Sequence, residues 1–452
     1  MEQDLTTGNI TGKLLLFAIP LMVGNVLQQF YNIVDTWIVG KYIGSDALAA
    51  VGSAYTLMTF LTSIILGLCM GSSAYFAIQY GRNCIEPLKK GIFLSFSMIG
   101  ILALVMTGIV LWQVDNIIQI LRVPTEITDI SRDYLVIIFF GILATFLYNY
   151  YANLLRAVGN SVVPLVFLAV AVILNVVLDI YLVAVLKWGV KGAALATVIS
   201  QYVSAVGLYL FYYAGFPKLK MERKYMVWDL SILKDIFRLS GLTCLQQSVM
   251  NFGILMVQGL VNSFGSVVMA AFSVAVKIDT IAYMPVQDYG NAFSTFVAQN
   301  YGAEKPERIK KGIKSSIVVV FVFCIIISSI VCVFAPQLMN IFVKDKQDVT
   351  SVGVSYLRIE AAFYFGIGLL FMLYGFYRGI NRPAISLVLT ICSLGTRVLL
   401  AYMLSGIPTI GVKGIWVAIP IGWALADIVG IVYYMRCMRR QRNTFFCMNN
   451  EV

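Results

Sequence analysis

Two aspartates and several amide and hydroxyl side chains stand inside long apolar stretches of this chain. Asp35 lies within residues 14–40, LLLFAIPLMVGNVLQQFYNIVDTWIVG, which contain no other charged residue. Asn175 and Asp179 occur four residues apart in a second apolar stretch, so they share one face of a helix. A charged side chain at the centre of a bilayer costs about 2.5–3.5 kcal/mol even on permissive insertion scales. If these stretches cross a membrane, both acids are candidate functional residues.

We expect these acids to share one depth with polar residues on two further helices. The stretches that carry Asp35 and Asp179 run outward, and the stretches that carry Tyr134 and Thr197 run back, so all four side chains fall in the outer halves of their helices. Carboxylate, amide and hydroxyl oxygens are hard ligands that suit a proton or Na⁺. The alternative is that each residue makes an independent hydrogen bond between helices. The predicted cation site comprises Asp35, Asn175, Asp179, Thr197 and the neighbouring Tyr134, and the first four would be the ligands of Na⁺.

Pro20 gives the first apolar stretch a bending point. Proline has no backbone N–H, so it cannot donate to the carbonyl of Leu16 one turn earlier. At about 1.5 Å per residue, Pro20 and Asp35 lie roughly 22 Å apart along the helix. We therefore predict a hinge at Pro20 on the same helix as the acid.

The second half of the chain carries a different set of charged residues within its apolar stretches. Both acids and bases are present, so a neutralised structural ion-pair network and a functional role stay open as interpretations. The members of this possible polar network are Lys277, Asp279, Glu360 and Arg397.

Composition predicts an integral membrane protein with no separate soluble domain. Of its 452 residues, 60% are hydrophobic and only 12% are charged, whereas about a quarter of the residues of a soluble protein are charged. Most of the 33 Lys and Arg residues fall in short loops on the side that holds both termini, which indicates cytoplasmic termini. This distribution accounts for the net charge of +11 without a nucleic-acid partner. We expect a multi-pass protein of the cytoplasmic membrane, in contact with the lipid bilayer and monomeric.

Apolar runs separated by polar loops predict an all-α membrane protein with twelve transmembrane helices. The predicted spans are 14–40, 47–79, 91–112, 131–155, 161–186, 192–213, 234–262, 266–298, 313–335, 353–377, 383–405 and 413–436.

The two halves of the chain repeat each other. GVKGAALA at 189–196 matches GVKGIWVA at 411–418, and the same offset along the chain carries Asn175 to Arg397. Six spans in each repeat put both copies into the membrane in the same orientation, a layout of many secondary transporters. The predicted division is a six-helix lobe at 1–213, a cytoplasmic linker at 214–233, a second, pseudo-symmetric six-helix lobe at 234–436 and a cytoplasmic tail at 437–452.

Several kinds of active site are excluded or unsupported. The chain contains no histidine, so His-containing zinc sites and His-based catalytic triads are ruled out. GNITGKL at 8–14 is one residue shorter than a P-loop and lacks its Ser or Thr. We therefore predict a protein that is not an enzyme and has no cofactor, and whose uphill transport would be driven by an ion gradient.

The chain resembles the multidrug and toxic compound extrusion (MATE) family of the MOP superfamily, in its bacterial type. The resemblance rests on residues 5–40, on LRAVGNSVVPL at 155–165 and on AQNYGAEKPERIKKG at 298–312. It implies two six-helix lobes and antiport of organic cations, such as drugs and other xenobiotics, against H⁺ or Na⁺. It also implies that the coupling cation binds Asp35, Asn175, Asp179 and Thr197, with Tyr134 as a neighbour, and that the first helix bends at Pro20 when the acid takes up a proton.

The same resemblance limits what the second lobe is expected to do. Some family members carry coupling acids there, in the seventh helix among others. The seventh span here, with the sequence IFRLSGLTCLQQSVMNFGILMVQGL from Ile236 onward, contains no acid beyond its cytoplasmic start, which argues against a sodium site of that kind.

Rival functions remain at this point. The nearest is a flippase for lipid-linked oligosaccharides of the same superfamily, in which Lys277 and Arg397 would hold a pyrophosphate. A major facilitator transporter shares the layout of six plus six spans, but GRNCIEPLKKG at 81–91 lacks the acidic, Arg-rich loop of that family. No filter-like glycine run supports a channel.

Overall fold

The computed structural model describes residues 3–120, 123–343 and 346–440, and this part of the chain contains helices and no strand. The helices are α1 Ile10–Tyr42, α2 Ser45–Gly81, α3 Ile85–Trp112, α4 Val114–Ile120, α5 Thr128–Ala157, α6 Val162–Asp179, α7 Gly189–Gly215, α8 Leu230–Asn262, α9 Ser266–Gly302, α10 Pro306–Phe342, α11 Gln347–Ala361, α12 Tyr364–Gly379, α13 Pro383–Ser405 and α14 Lys413–Arg440. Short 3₁₀ turns lie at Thr125–Ile127, Pro217–Leu219 and Arg223–Tyr225, and a π-helical segment lies at Ile180–Val185.

Eleven of the described helices are long and apolar enough to cross a membrane. The pair α11 and α12 passes the same test when taken together, although its two helices are bent by 53° at the break between them. The predicted all-α membrane fold with twelve spans is confirmed when the bent pair of α11 and α12 is counted as one span. It follows from the lengths of the apolar runs, because a membrane-spanning helix needs about 20 apolar residues.

The tenth span was predicted as one helix over residues 353–377, but the structure divides it into two helices. α11 ends at Ala361 and α12 begins at Tyr364. At the break, the N–H of Phe363 donates to the carbonyl of Glu360 at 3.0 Å, a tight three-residue turn that replaces the regular helical bond. Residues 361–364, AAFY, contain no Gly or Pro to signal the break, so the sequence alone predicts a single span.

The helix α6 changes its winding where its polar residues lie. It ends at Asp179 and continues as the π-helical segment Ile180–Val185. The N–H of Leu186 donates to the carbonyl of Tyr181, five residues earlier, at 2.9 Å. Such wide turns are rare and occur frequently at functional sites.

The chain divides into two compact units. Unit 1 contains Ile19–Cys244 and the first residues up to Asp4, and unit 2 contains Leu5–Ala18 and the chain from Leu245 onward. The sequence-based division into lobes at 1–213 and 234–436 differs from this in two places, because part of α1 belongs to unit 2 and the first half of α8 belongs to unit 1. Residues 441–452 of the predicted tail lie outside the described residues.

Small residues bring the helices of unit 1 close together. A Cβ atom at Gly71 of α2 would overlap the backbone of Leu239 and Ser240 in α8. Beside it, the hydroxyls of Ser72 and Ser240 share a hydrogen bond of 2.8 Å. α5 packs against α2, α3 and α7, and α7 packs against α6. Close backbone approach at small residues is a common way for membrane helices to associate.

Unit 2 includes an N-terminal strap, defined here as Leu5–Gly8, which packs on α9 and α10. The side chain of Leu5 is fully buried. Arg308 donates to the carbonyls of Leu5 at 3.2 Å, Thr7 at 2.6 Å and Gly8 at 2.8 Å. Asn300 donates to the same Leu5 carbonyl at 3.2 Å. The strap is thus held mainly through its backbone.

Candidate cation-binding site

Asp35 on α1 and Asp179 at the end of α6 face each other at hydrogen-bonding range within unit 1. Asp179 is fully buried and Asp35 is partly buried. Among the described residues, no donor reaches either oxygen of Asp179 or the buried Oδ1 of Asp35. Two carboxylates are both acceptors, so they can hydrogen-bond to each other only when one carries a proton. The pair needs either a proton or a cation.

Asn175 and Thr197 join this pair through a short hydrogen-bond chain. The Asn175 amide, one turn before Asp179 and also fully buried, donates to the Thr197 hydroxyl at 3.4 Å. Tyr31 donates to the same hydroxyl at 3.2 Å. The Thr197 oxygen accepts both bonds, and the amide oxygen of Asn175 receives no donor in the described part of the chain. These hydrogen bonds orient the Asn175 side chain with its NH₂ group toward Thr197. The amide oxygen of Asn175 is therefore available to bind a cation.

Tyr134 on α5 completes the predicted set. Its side chain is buried, and both carboxyl groups act on it electrostatically. No hydrogen bond joins it directly to either acid within the residues described. Tyr134 is therefore a neighbour of the pair rather than a direct partner of it.

Tyr31 belongs to the same group, and sequence reasoning missed it. It lies on α1 one turn before Asp35, so the two side chains share a helix face. That spacing was the available signal. It was obscured by the many aromatic side chains of the chain, which make up 13% of the residues and in membrane proteins mostly serve packing and interfacial anchoring.

The donor set of this group fits a small, hard cation. Its unsatisfied oxygens come from two carboxyl groups and one amide, and the hydroxyls of Tyr31 and Thr197 stand beside them. Within the described ranges, no group of three or more His, Cys, Asp or Glu residues is arranged to hold a metal ion. With two acids, the site can accommodate a proton or one monovalent ion, and it lacks the ligands of a dedicated transition-metal centre.

Pro20 lies inside α1, which runs from Ile10 to Tyr42 as one helix. The change from unit 2 to unit 1 along α1 falls between Ala18 and Ile19, next to this proline. The helix therefore lacks one backbone bond close to the point where its packing partners change. This is the place where a bend would cost least.

Three charged residues of unit 2, Asp279 on α9, Glu360 on α11 and Arg397 on α13, form a cluster. Asp279 is buried and accepts hydrogen bonds from Tyr364 at 2.7 Å and from Tyr356 at 3.3 Å. Glu360 is fully buried, and neither of its oxygens receives a donor in the part of the chain that is described. Arg397 acts electrostatically on both acids. It forms no ion pair with them among the described residues, and its Nε has no acceptor there.

Lys277 does not join this cluster. Its side chain is exposed, and it stands two residues before Asp279 on α9, a spacing that points the two side chains to different sides of a helix. The sequence grouped Lys277 with Asp279, Glu360 and Arg397, and the structure separates it from them. The physical reason is that residues at a similar depth in the membrane can lie on different faces of a helix. The sequence-based grouping considered their depth and not the face on which each lies.

A further buried acid, Asp427 on α14, escaped the sequence analysis. Its side chain is 6% exposed, and its Oδ1 has no partner among the described residues. The Oδ2 atom lies beside Gly366 in the first turn of α12, where the positive end of the helix dipole favours a negative charge. A lone acid in the apolar run WALADIVG was the signal that went unused.

The MatE family model matches this chain twice, at residues 20–181 and again at residues 242–403. The two matches are equal in length, and they are related by the same offset that relates GVKGAALA to GVKGIWVA. Together they cover well over half of the chain. The chain belongs to the MATE family.

Relatives of this MATE protein extend over nearly its whole length. The probable multidrug resistance protein YpnP of Bacillus subtilis is 29% identical over 439 residues, covering 95% of this chain and 96% of the relative. The probable multidrug resistance protein NorM of Thermotoga maritima is 22% identical over 430 residues, covering 93% and 90%. The multidrug export protein MepA of Staphylococcus aureus strain NCTC 8325 is 24% identical over 359 residues, covering 78% and 79%. Their names describe multidrug resistance or multidrug export and no enzyme, in agreement with the prediction of a protein that is not an enzyme.

Solved MATE structures share the fold. A MOP superfamily transporter from Pyrococcus furiosus superposes with a TM-score of 0.90 at 24% identity, covering 97% of this chain and 98% of the other. A MATE crystal structure in a bent conformation gives 0.91, and one in a straight conformation gives 0.89, with the same identity and coverage. The predicted architecture of two pseudo-symmetric lobes is thereby confirmed.

Proposed function

We propose that this MATE protein is a secondary antiporter that exports small organic cations across the cytoplasmic membrane in exchange for H⁺ or Na⁺. The observation that carries the proposal is the facing pair of Asp35 and Asp179, whose buried oxygens have no donors among the described residues. Two ionised carboxylates at this range repel each other in a medium of low dielectric constant. A proton or Na⁺ relieves that repulsion.

Exchange follows from the competition between the coupling cation and the positively charged substrate for the same acids. When the outside cation binds Asp35 and Asp179, the negative charge that attracts the substrate is reduced, and the substrate leaves outward. Inward reorientation then releases the coupling cation and resets the acids. Coupling requires that the two states of the transporter differ in their affinity for the cation.

Motion of α1 is the second part of the proposal. Neutralising Asp35 changes the forces on the outer part of α1, and Pro20 is the position where this helix can bend with the loss of no further backbone bond. In this proposal, the cation-binding residue Asp35 and the hinge at Pro20 lie on the same helix, α1, so a change at one is transmitted to the other. Both termini face the cytoplasm, and the protein works as a monomer.

Substrate class and energy source are supported by different observations. The names of YpnP, NorM and MepA describe multidrug resistance or export, and acids rather than bases form the site in unit 1. The chain has no P-loop, and an ion gradient supplies about 2.3 kcal/mol per charge for each 100 mV of membrane potential. An electrochemical gradient is therefore the proposed driving force.

A lipid-linked oligosaccharide flippase is less well supported. That function needs unpaired bases to hold a pyrophosphate. Of its two candidates, the charge of Arg397 is opposed by the nearby acids Asp279 and Glu360. The exposed Lys277 on α9 alone would then have to hold the pyrophosphate. Antiport of cations is the preferred proposal.

The test is counterflow of ethidium in proteoliposomes under an imposed pH or sodium gradient. We expect uptake to follow one of the two gradients in the wild type and to be lost in Asp35→Asn. The matched control is Asp115→Asn, which removes an exposed acid that pairs with Arg132 at 3.1 Å on the surface and should retain uptake. Full retained uptake in Asp35→Asn, with the protein folded in the membrane, would refute the assignment.

A further inference from the structure

The two copies of the repeat place matching residues beside two different pairs of acids. One offset relates the two family matches at 20–181 and 242–403. The same offset carries Tyr134 to Tyr356 and Asn175 to Arg397. Each copy thus contributes a tyrosine and one further polar residue at equivalent positions of its own unit.

The surroundings of these matched residues are alike in chemistry. In unit 1, Tyr134 stands beside the Asp35 and Asp179 pair, and Asn175 lies one turn before Asp179. In unit 2, Tyr356 donates to Asp279 at 3.3 Å, and Glu360 is buried one turn after it on α11. Each unit therefore has two acids beside the matched tyrosine, both buried in unit 2, whereas in unit 1 Asp179 is buried and Asp35 is partly buried. The acids come from α1 and α6 in one unit and from α9 and α11 in the other.

The decisive difference is the residue that matches Asn175. In unit 1 it is a neutral amide, and in unit 2 it is Arg397, whose guanidinium stays protonated in proteins. The two acids and Arg397 in unit 2 carry a net charge of about −1 when all are ionised, which equals the charge of the Asp35 and Asp179 pair with one monovalent cation bound. The arginine supplies from within the chain the charge that unit 1 must take from solution.

We propose that Arg397 is a tethered cation whose fixed charge substitutes for that of the exchangeable cation in the second copy of the repeat, so that only unit 1 exchanges a coupling ion. This inference rests on the proposed antiport. A guanidinium that is covalently attached cannot dissociate, so its charge does not depend on external sodium or on external pH in the working range. The second copy consequently adds fixed charge and no coupling step.

The geometry distinguishes this role from that of a structural salt bridge. A buried structural ion pair is stable only with close contact and satisfied hydrogen bonds. Among the described residues, Arg397 forms no ion pair with Asp279 or Glu360, its Nε has no acceptor, and both oxygens of Glu360 lack donors. Asp279 is instead held by Tyr356 and Tyr364. Arg397 therefore acts on Asp279 and Glu360 through its charge and not through a direct contact.

The experiment replaces Arg397 by the residue at the matching position, Arg397→Asn. The measured quantity is the ratio of internal to external ethidium at which net flux stops, with the membrane potential clamped at zero. With one additional coupling cation per cycle, a tenfold cation gradient should support a ratio about tenfold larger than in the wild type. Arg397→Lys keeps a cation at this position and should give the wild-type ratio. An unchanged ratio in a folded Arg397→Asn protein would overturn the inference.

A second measurement remains informative if Arg397→Asn does not fold. The purified Asp35→Asn/Asp179→Asn protein should bind no exchangeable cation. Sodium binding is measured with radioactive sodium. Proton binding is measured separately, as the number of protons that the protein releases when ethidium is added at pH values from acid to neutral. One remaining exchangeable cation, lost on further substitution of Glu360→Gln, would contradict the inference while leaving the antiport proposal intact. Absence of any gradient-driven ethidium flux in the wild type would instead refute the antiport itself.

Discussion

Asp35 on α1 faces Asp179 at the C-terminal end of α6, and the side chain of Asp179 is fully buried. The π-helical segment begins at the next residue, Ile180. A buried carboxylate without a donor is destabilising, so the fold keeps this pair at a cost in stability. That cost makes the pair the first target for experiment.

Replacing Asp179 by Asn should separate transport from stability. We expect gradient-driven ethidium uptake in proteoliposomes to fall at least about tenfold, because half of the charged pair is lost. The thermal unfolding midpoint at neutral pH should stay the same or rise, since one buried acid is removed. A protein that loses both transport and stability would indicate a structural role for Asp179, and Asp115→Asn again serves as the exposed control.

Tyr31→Phe tests the residue that the sequence analysis missed. The change removes the 3.2 Å hydrogen bond to Thr197 and leaves the ring in place. Loss of one such bond is worth about 0.5–1.5 kcal/mol, so the apparent affinity for the coupling cation should fall roughly 2- to 12-fold. Tyr42→Phe, an exposed position on the same helix, should leave the affinity unchanged. Equal effects of both changes would remove Tyr31 from the site.

Pro20→Ala tests the hinge. Alanine restores a donor for the Leu16 carbonyl and favours the straight helix, so the protein should be at least as stable as the wild type while its maximal rate of ethidium export falls. The measurement is the rate at saturating gradient beside the thermal unfolding midpoint. Pro336→Ala in α10 makes the same chemical change in another helix and should not slow export. A Pro20→Ala protein that exports at the wild-type rate would argue against bending at this position.

Arg308→Ala should release the N-terminal strap. It removes three hydrogen bonds to the carbonyls of Leu5, Thr7 and Gly8, each worth about 0.5–1.5 kcal/mol and more from a charged donor. Hydrogen exchange of the backbone amides at residues 5–8 should become at least about tenfold faster. Lys310→Ala breaks an exposed pair with Glu307 and should leave exchange in the strap as it was. Unaltered exchange in Arg308→Ala would mean that burial of Leu5 and the remaining hydrogen bonds, such as that from Asn300 to the Leu5 carbonyl, hold the strap without Arg308.

The segment between α7 and α8 should respond to acid through Glu222. Hydrogen bonds from Lys224 and then from Lys89 lower the pKa of Glu222 from 4.5 to about 2. Because this pKa is lower in the folded protein, the stabilisation is present above the ordinary value of 4.5 and is lost as the pH falls toward about 2. Fluorescence of the nearby Trp228 should therefore change in this window in the wild type and not in Glu222→Gln. A transition that persists in Glu222→Gln would come from another group.

Much of the fold was predictable because it depends on local composition. Apolar runs of membrane length set the helices, and the matches of GVKGAALA and GVKGIWVA set the repeat, which the double family match confirms. The break between Ala361 and Tyr364 was not predictable, since residues 361–364, AAFY, contain no Gly or Pro to signal it. It is visible only in the local turn, where the N–H of Phe363 donates to the carbonyl of Glu360.

The sequence by itself determined which acids lie within the membrane-length helices and that Asn175 and Asp179 share a face, because these properties follow from helical periodicity along one segment. Only the tertiary structure decided how each helix is rotated against its neighbours. Rotation brings Tyr31 to Thr197, buries Asp427 and leaves Lys277 outside the acidic cluster of unit 2. Those outcomes depend on packing between segments distant in the chain, which the periodicity of a single segment does not specify.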